Sequence, residues 1–323
     1  MNNVTIIMYH YIRDLKNSRF PNIKGLDKEK FIGQIEYLKK NYHFTTMEEV
    51  IYSLESKEKL PPKSVLLTFD DAYTDHFTNV FPILDEYQIQ GSFYAPVKAI
   101  TEHVVLDVNK IHFILASQQD YNTLIKDIQL WLEKHQKEFQ LKSFEYYYKK
   151  LAHVGRYDTK DVIFIKRLLQ VELNESIRMM LVDELFLKYV GMNEASFSRE
   201  LYMDASQLKT MLKYGMHIGS HGFNHYWWNR LKEKELEEEI DRSMHFLNEL
   251  GVDMSQWTAC YPYGSYSEEA VKMLAERKCK LAVTTEVRIA DLERDHRFLM
   301  PRLDTNDLPM DESTSNDIWM NKS

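Results

Sequence analysis

The stretch Ser64–Asp75 reads SVLLTFDDAYTD, and its reading decides the fold. An apolar run through Val65, Leu66 and Leu67, bounded upstream by Pro61 and Pro62, predicts a buried strand over Ser64–Phe69. That strand ends in two adjacent carboxylates, Asp70 and Asp71. Side by side at a strand end, two like charges repel. One acid could be solvated, or could cap the positive end of a following helix. A second one directly beside it asks for more, and a bound cation would relieve the repulsion and keep both ionised.

Working outward, Val4–Tyr9 (VTIIMY) predicts a short buried strand. Phe31, Ile35 and Leu38 line one face of a helix over Lys28–Lys40. Thr46 and Glu49 form a capping-box pattern opening a helix to Leu54. Beyond the carboxylates the pattern predicts a helix over Asp75–Tyr87, then Gly91 and a strand SFYAPV. From 98 to 200 the chain reads as helices without strands, for example LIKDIQLWLEKH and VDELFLKYVG, the latter stopping at Gly191.

Alternation then resumes. A helix is expected over Asp204–Tyr214, a strand over Met216–Ser220 and a long helix from Leu231 to Gly251. A strand over Trp257–Tyr261, a helix over Ser267–Lys278, a strand over Lys280–Thr284 and the apolar piece FLMPRL follow. Repeated βα units imply a mostly parallel sheet with helices outside it. Roughly seven such strands suggest an α/β fold of distorted (β/α)7-barrel type, whose working groups sit at the C-terminal strand ends. The expected organisation is residues 1–97 as the first part of the barrel, 98–200 as a helical insertion, 201–310 as the second part and 311–323 as a polar tail.

A net charge of −8 argues against a nucleic-acid partner, because phosphate binding needs a basic surface. With only two cysteines, Cys260 and Cys279, the chain fits a reducing compartment. No basic leader precedes the short N-terminal apolar run, and no 18 apolar residues run consecutively. The expectation is therefore a cytoplasmic protein with no membrane span. Its oligomeric state is not readable.

Two further clusters carry chemistry. In HGFNH, His221 and His225 stand four apart, a spacing that on a helical turn or similar loop points two imidazoles the same way. Two imidazoles and one carboxylate make a facial set that leaves positions open on Zn2+. Two of twelve histidines falling at this spacing by chance is the ordinary alternative. In CYPYG, Cys260 to Gly264, a rigid turn could aim a backbone N–H and a phenol into a cleft, although a plain β-turn explains it equally.

TFDD at Thr68–Asp71, SHGFNH at Ser220–His225 and YPYG at Tyr261–Gly264 occur in this order, with YHYI at Tyr9–Ile12 and MPRLD at Met300–Asp304. In these motifs the chain resembles the polysaccharide deacetylase family, the NodB-homology or carbohydrate esterase 4 group. The resemblance spans 4–97 and 202–302 and leaves out the helical insertion. It implies a distorted barrel and a divalent metal, usually Zn2+, with Co2+ or Ni2+ as alternatives. Position by position, Asp70 matches the catalytic base, Asp71, His221 and His225 the metal ligands, and Tyr263 the residue whose backbone N–H steadies the oxyanion. The implied activity is hydrolysis of a linear amide. A zinc-bound water would act as nucleophile, removing an N-acyl group, above all N-acetyl, from an amino sugar, sugar nucleotide or short glycan.

The chain departs from the family at three places. Cys260 stands where the family carries an arginine that holds the base, and Arg302 is the candidate substitute, with a plain surface arginine as the alternative. The late Leu-x-His that carries the general acid is missing. His10 is preferred as its replacement because of its strand-end position, His296 comes second, and a structural histidine is as good an explanation of each. Ala72 replaces the usual glycine after the aspartates. A non-catalytic metal- or carbohydrate-binding barrel, or a deacylase of a small non-sugar amide, is the alternative function.

Overall fold

The computed structural model of the chain describes residues 2–155, 158–310 and 319. They divide into two compact units, one falling within residues 1–14, 25–104 and 198–323, the other within residues 15–24 and 105–197. The polar tail expected over 311–323 lies, Trp319 excepted, outside the described residues.

The first unit holds the strands β1 (Asn3–Tyr9), β2 (Ile12–Arg13), β3 (Leu26–Asp27), β4 (His43–Phe44), β5 (Ser64–Asp70) and β6 (Gly91–Ala95). After the other unit come β7 (His217–Ser220), β8 (Thr258–Cys260), β9 (Leu281–Val283), β10 (Ala290–Asp291) and β11 (Leu303–Asp304). The main sheet runs β10-β1-β5-β6-β7-β8-β9, with β11 also on β1 and β4 also on β5. All pairs along it are parallel except β1 with β10. A parallel bridge from Val283 to Met300 and the pairing of Ile7 with Leu303 carry the curl from β9 back to β1. This curled sheet of nine strands, two of them off the main path, is the distorted βα barrel that the alternation of apolar runs predicts.

Side chains alternate along each strand, and the two faces part company accordingly. Val4, Ile6, Leu66, Tyr94, Cys260, Leu281, Val283 and Met300 form one buried cluster. The intervening Ile7, Tyr9, Val65, Leu67 and Phe69 belong to another, which includes Phe31, Ile35 and Leu38 of the helix Lys28–Asn41. Asp70 is two residues beyond Thr68 and four beyond Leu66, so it continues the first of these faces. Register then fixes the rim: Tyr9 pairs with Phe69, Asp70 with Tyr94, Ala95 with Ser220, and Cys260 with Val283. His10, Asp70, His221 and Cys260 therefore leave the sheet at one edge.

The helix expected over Asp75–Tyr87 is built in two parts, a π-type turn at His76–Val80 and an α-helix at Phe81–Tyr87. Pro82 has no N–H to continue an α-helical ladder, and the wider turn accommodates it. The capping box at Thr46 and Glu49 is formed, and Gly251 closes the helix Glu233–Leu250 with a φ of 95°.

The second unit is helical: Asp107–Ala116, Asn122–His135, Phe144–Leu151, Lys160–Arg167 and Glu175–Val190 are its main elements. Residues 15–24 belong to it because Phe20 packs edge-on against Phe113 at 5.0 Å and Phe197 at 6.0 Å. Among the described residues, no helix is long and apolar enough to cross a membrane.

Candidate active site

Arg302 is fully buried and forks onto Asp70, Nη1 donating to Oδ1 at 2.8 Å and Nη2 to Oδ2 at 2.7 Å. Its remaining donors are also used. Nε donates to the Thr284 carbonyl at 2.8 Å, Nη1 also reaches Thr68 Oγ1 at 3.1 Å, and Nη2 approaches Cys260 Sγ at 3.2 Å. The Cys260 thiol lies 3.5 Å from Asp70 Oδ2. Burial works to raise the Asp70 carboxyl, but the guanidinium overrides it and holds the group well below the usual carboxylate range. Burial pushes the Cys260 thiol up, so it stays neutral beside this pair.

Directly after β5 the chain bends through two left-handed residues, Asp71 at φ 74° and Ala72 at φ 51°. The bend turns Asp71 toward the loop that follows β7. Asp71 Oδ1 lies 3.5 Å from His221 Nε2 and 3.4 Å from His225 Nε2, and the two Nε2 atoms are 3.2 Å apart. His221 and His225 sit on a loop rather than a helix, Gly222 taking φ 75° and His225 φ 62°. His221 Nδ1–H donates to the Cys260 carbonyl at 2.9 Å, which leaves the Nε2 lone pair facing Asp71. The Tyr73 hydroxyl donates to the other Asp71 oxygen, Oδ2.

Whether these residues suit a cation can be judged from what they lack. Asp71 Oδ1 and His225 Nδ1 are buried without a hydrogen-bond partner, and an orphaned buried carboxylate oxygen is costly. Ligand atoms of Asp71, His221 and His225 all lie within 4.8 Å of one another. One carboxylate and two imidazoles form a donor set suited to Zn2+ and its neighbours. Burial depresses His225 to about 3, with His221 adding to the effect, so its ring is neutral, as a ligand must be.

His10 Nε2 stands 3.9 Å from Asp70 Oδ2, and its side chain is 41% exposed. Its carbonyl is held by the fully buried His76, whose Nε2–H donates at 2.8 Å. Tyr263 lies in the single turn Pro262–Gly264 at φ 59°. Its ring stacks on Trp227 at 4.3 Å and meets the His225 ring edge-on at 4.7 Å. His296 has another environment: its Nδ1 accepts the Phe298 N–H at 3.3 Å. The structure thus gathers Asp70, Asp71, His221, His225, Arg302, Tyr263 and His10 on one rim. Tyr73 and Trp227 were not singled out by the sequence. Both carry only a core-aromatic signature, and their neighbours are set by the left-handed turns.

The sequence model of the polysaccharide deacetylase family matches residues 57–142 and 185–282, more than half of the chain. The chain belongs to that family. YxkH of Bacillus subtilis (strain 168), a polysaccharide deacetylase by its name, is 32% identical over 96 residues, which is 29% of this chain and 32% of that protein. The poly-beta-1,6-N-acetyl-D-glucosamine N-deacetylase of Escherichia coli (strain K12) is 31% identical over 98 residues, 30% of this chain and 14% of the relative. The chain therefore spans a third or less of the length of these relatives. In fold it is similar to the Streptococcus pyogenes deacetylase PplD in complex with acetate, with a TM-score of 0.56 and 17% identity over 94% of this chain and 92% of that one.

Proposed function

We propose that the chain hydrolyses an N-acetyl group from an amino sugar in a glycan or glycan precursor, with Asp70 as general base. The observation that carries this reading is the pair of neighbouring carboxylates in unlike settings. Asp70 is ion-paired to Arg302, whereas Asp71 converges with two imidazoles. Held by Asp71, His221 and His225, a divalent cation, Zn2+ in our reading, supplies Lewis acidity and lowers the pKa of water.

The protein's own residues do the rest. Asp70, kept ionised and oriented by the Arg302 fork, takes a proton from the attacking water. The Tyr263 backbone N–H, fixed in its left-handed turn, donates to the oxyanion as it forms. His10, in reach of solvent and of the cleft, gives a proton to the departing amine. Cys260 and Thr68 complete the shell of Arg302 and do not react.

The sugar assignment is supported by family membership and by the poly-N-acetylglucosamine substrate in the name of the E. coli relative. Both cysteines are free and buried, which favours a reducing, cytoplasmic setting. The test is acetate release from N-acetylglucosamine oligomers and nucleotide sugars, with and without added Zn2+ or Co2+ and after chelation. Release that chelation abolishes and Zn2+ restores is expected. No release from any of them under metal would favour a non-catalytic barrel.

A further inference from the structure

Five glutamates crowd the first half of the helix Glu233–Leu250, at positions 233, 235, 237, 238 and 239. Four face solvent; Glu239 is 2% exposed and shares its face with Leu236, Ile240 and Ser243. A carboxylate buried there needs donors, and all of those it finds come from one short segment. Phe223 N–H donates to Oε2 at 3.0 Å, Asn224 N–H reaches Oε1 at 2.9 Å and Oε2 at 3.0 Å, and the Asn224 side-chain amide donates to Oε1. Phe223 and Asn224 lie between His221 and His225. Burial raises the Glu239 carboxyl, and these donors reduce that cost without cancelling it.

The rest of the helix reinforces the grip. Ser243, one turn on, is joined to Ser220 through their Oγ atoms at 2.8 Å, and Ser220 Oγ in turn accepts the Gly222 N–H at 3.1 Å. Arg242 lies over the Phe223 ring at 3.3 Å from its centroid. Gly222 allows the close approach. At its φ of 75°, a Cβ would stand 2.9 Å from Glu239 Oε2.

We infer that Glu239 is a positioning residue which, by holding the backbone between the two histidines, sets the affinity of the Asp71–His221–His225 centre for its cation. The inference rests on the metal reading above. Glu239 donates nothing to the ion and touches no reacting atom. Its work is to hold the Phe223 and Asn224 N–H groups of a segment whose Gly222 and Phe223 carbonyls already accept from Val97 and Lys98, so that both imidazoles are aimed before the ion arrives. Partners of this outer kind are worth about 10–100-fold in metal affinity.

The experiment compares Zn2+ affinity of wild type, Glu239→Gln and Glu238→Gln, measured on metal-stripped full-length chain by competition with a chromogenic chelator. Glu239→Gln keeps the shape but replaces an acceptor oxygen by an amide that faces N–H donors. Its dissociation constant is expected to rise about 10–100-fold, with Glu238→Gln, an exposed neighbour, unchanged. The Zn2+ concentration giving half-maximal acetate release should rise by a similar factor. Wild-type affinity in Glu239→Gln, even with a lowered melting temperature, overturns the inference and leaves the metal reading intact. Absence of Zn2+ binding by wild type overturns the metal reading itself. If circular dichroism shows Glu239→Gln unfolded, Asn224→Ala decides: a several-fold weaker affinity supports the inference, and an unchanged one refutes it.

Discussion

His10 and Asp70 leave neighbouring parallel strands at the same level, and the molecule treats them in opposite ways. Asp70 is 2% exposed and ion-paired to a fully buried arginine. The His10 side chain is 41% exposed and its nearest charged partner is 3.9 Å away. What is anchored at His10 is the backbone, through the His76 bond to its carbonyl. A base that must be ionised at the start of each turnover is best walled off with its counter-ion. A group that must collect a proton between turnovers needs water. The two strand ends are built as a base held ready in its ionised form and an acid that water can recharge.

That contrast can be broken from either end. Asp70→Asn removes the base while leaving the Asp71 cluster, and should cut acetate release about 10²–10⁴-fold with Zn2+ content retained. Full activity in this variant would end the assignment. Arg302→Met takes the partner from a buried carboxylate, which typically costs about 3–5 kcal/mol, read as a lowered urea midpoint. An unshifted midpoint would mean that Asp70 is solvated in practice.

The His76 anchor predicts a pH effect of definite sign. Burial lowers its pKa from 6.5 to about 4, so between those values the unfolded chain binds a proton that the folded chain refuses. Stability present above pH 6.5 is therefore lost as the pH falls toward 4, by up to about 3 kcal/mol. His76→Gln, which can still donate to the His10 carbonyl, should flatten that part of the urea-midpoint profile. An unchanged slope would place the proton uptake elsewhere. The smallest effect is expected at His10 itself. His10→Gln should lower kcat about 10²-fold with little change in KM, the loss shrinking for substrates with better leaving groups. An equal loss for all leaving groups would remove His10 from the acid step.

The barrel could be read from the chain because each strand is an apolar run stopped by chemistry-bearing residues, as in SVLLTFDD, and because helices of regular period separate them. Residue types at the rim were legible for the same reason. What period and propensity do not encode is how the chain bends once a strand has ended. The expectation of His221 and His225 on a helical turn or similar loop came from spacing alone. The loop they occupy is shaped by Gly222 and by a carboxylate on a helix 14 residues further along the chain from His225. Glu239 was hidden among identical neighbours, and the one available clue was its place on the stripe with Leu236, Ile240 and Ser243. The assignment of 15–24 to the helical unit was invisible because its ties, the Phe20 ring against Phe113 and Phe197 and the Lys24–Asp158 ion pair, are to residues distant in the chain.

Asp71, Ala72, His225 and Tyr263 all occupy the left-handed region, with φ between 51° and 74°. Few L-amino acids settle there, and β-branched ones are the least welcome. Drift at these positions is thus confined twice over, by chemistry at three of them and by backbone shape at all four. Ala72 is the informative case: it has no side-chain functional group to preserve, so glycine, asparagine or aspartate are the replacements its backbone would accept with least strain. The corners of the rim are thus places where backbone shape, as well as chemistry, limits which side chain can stand.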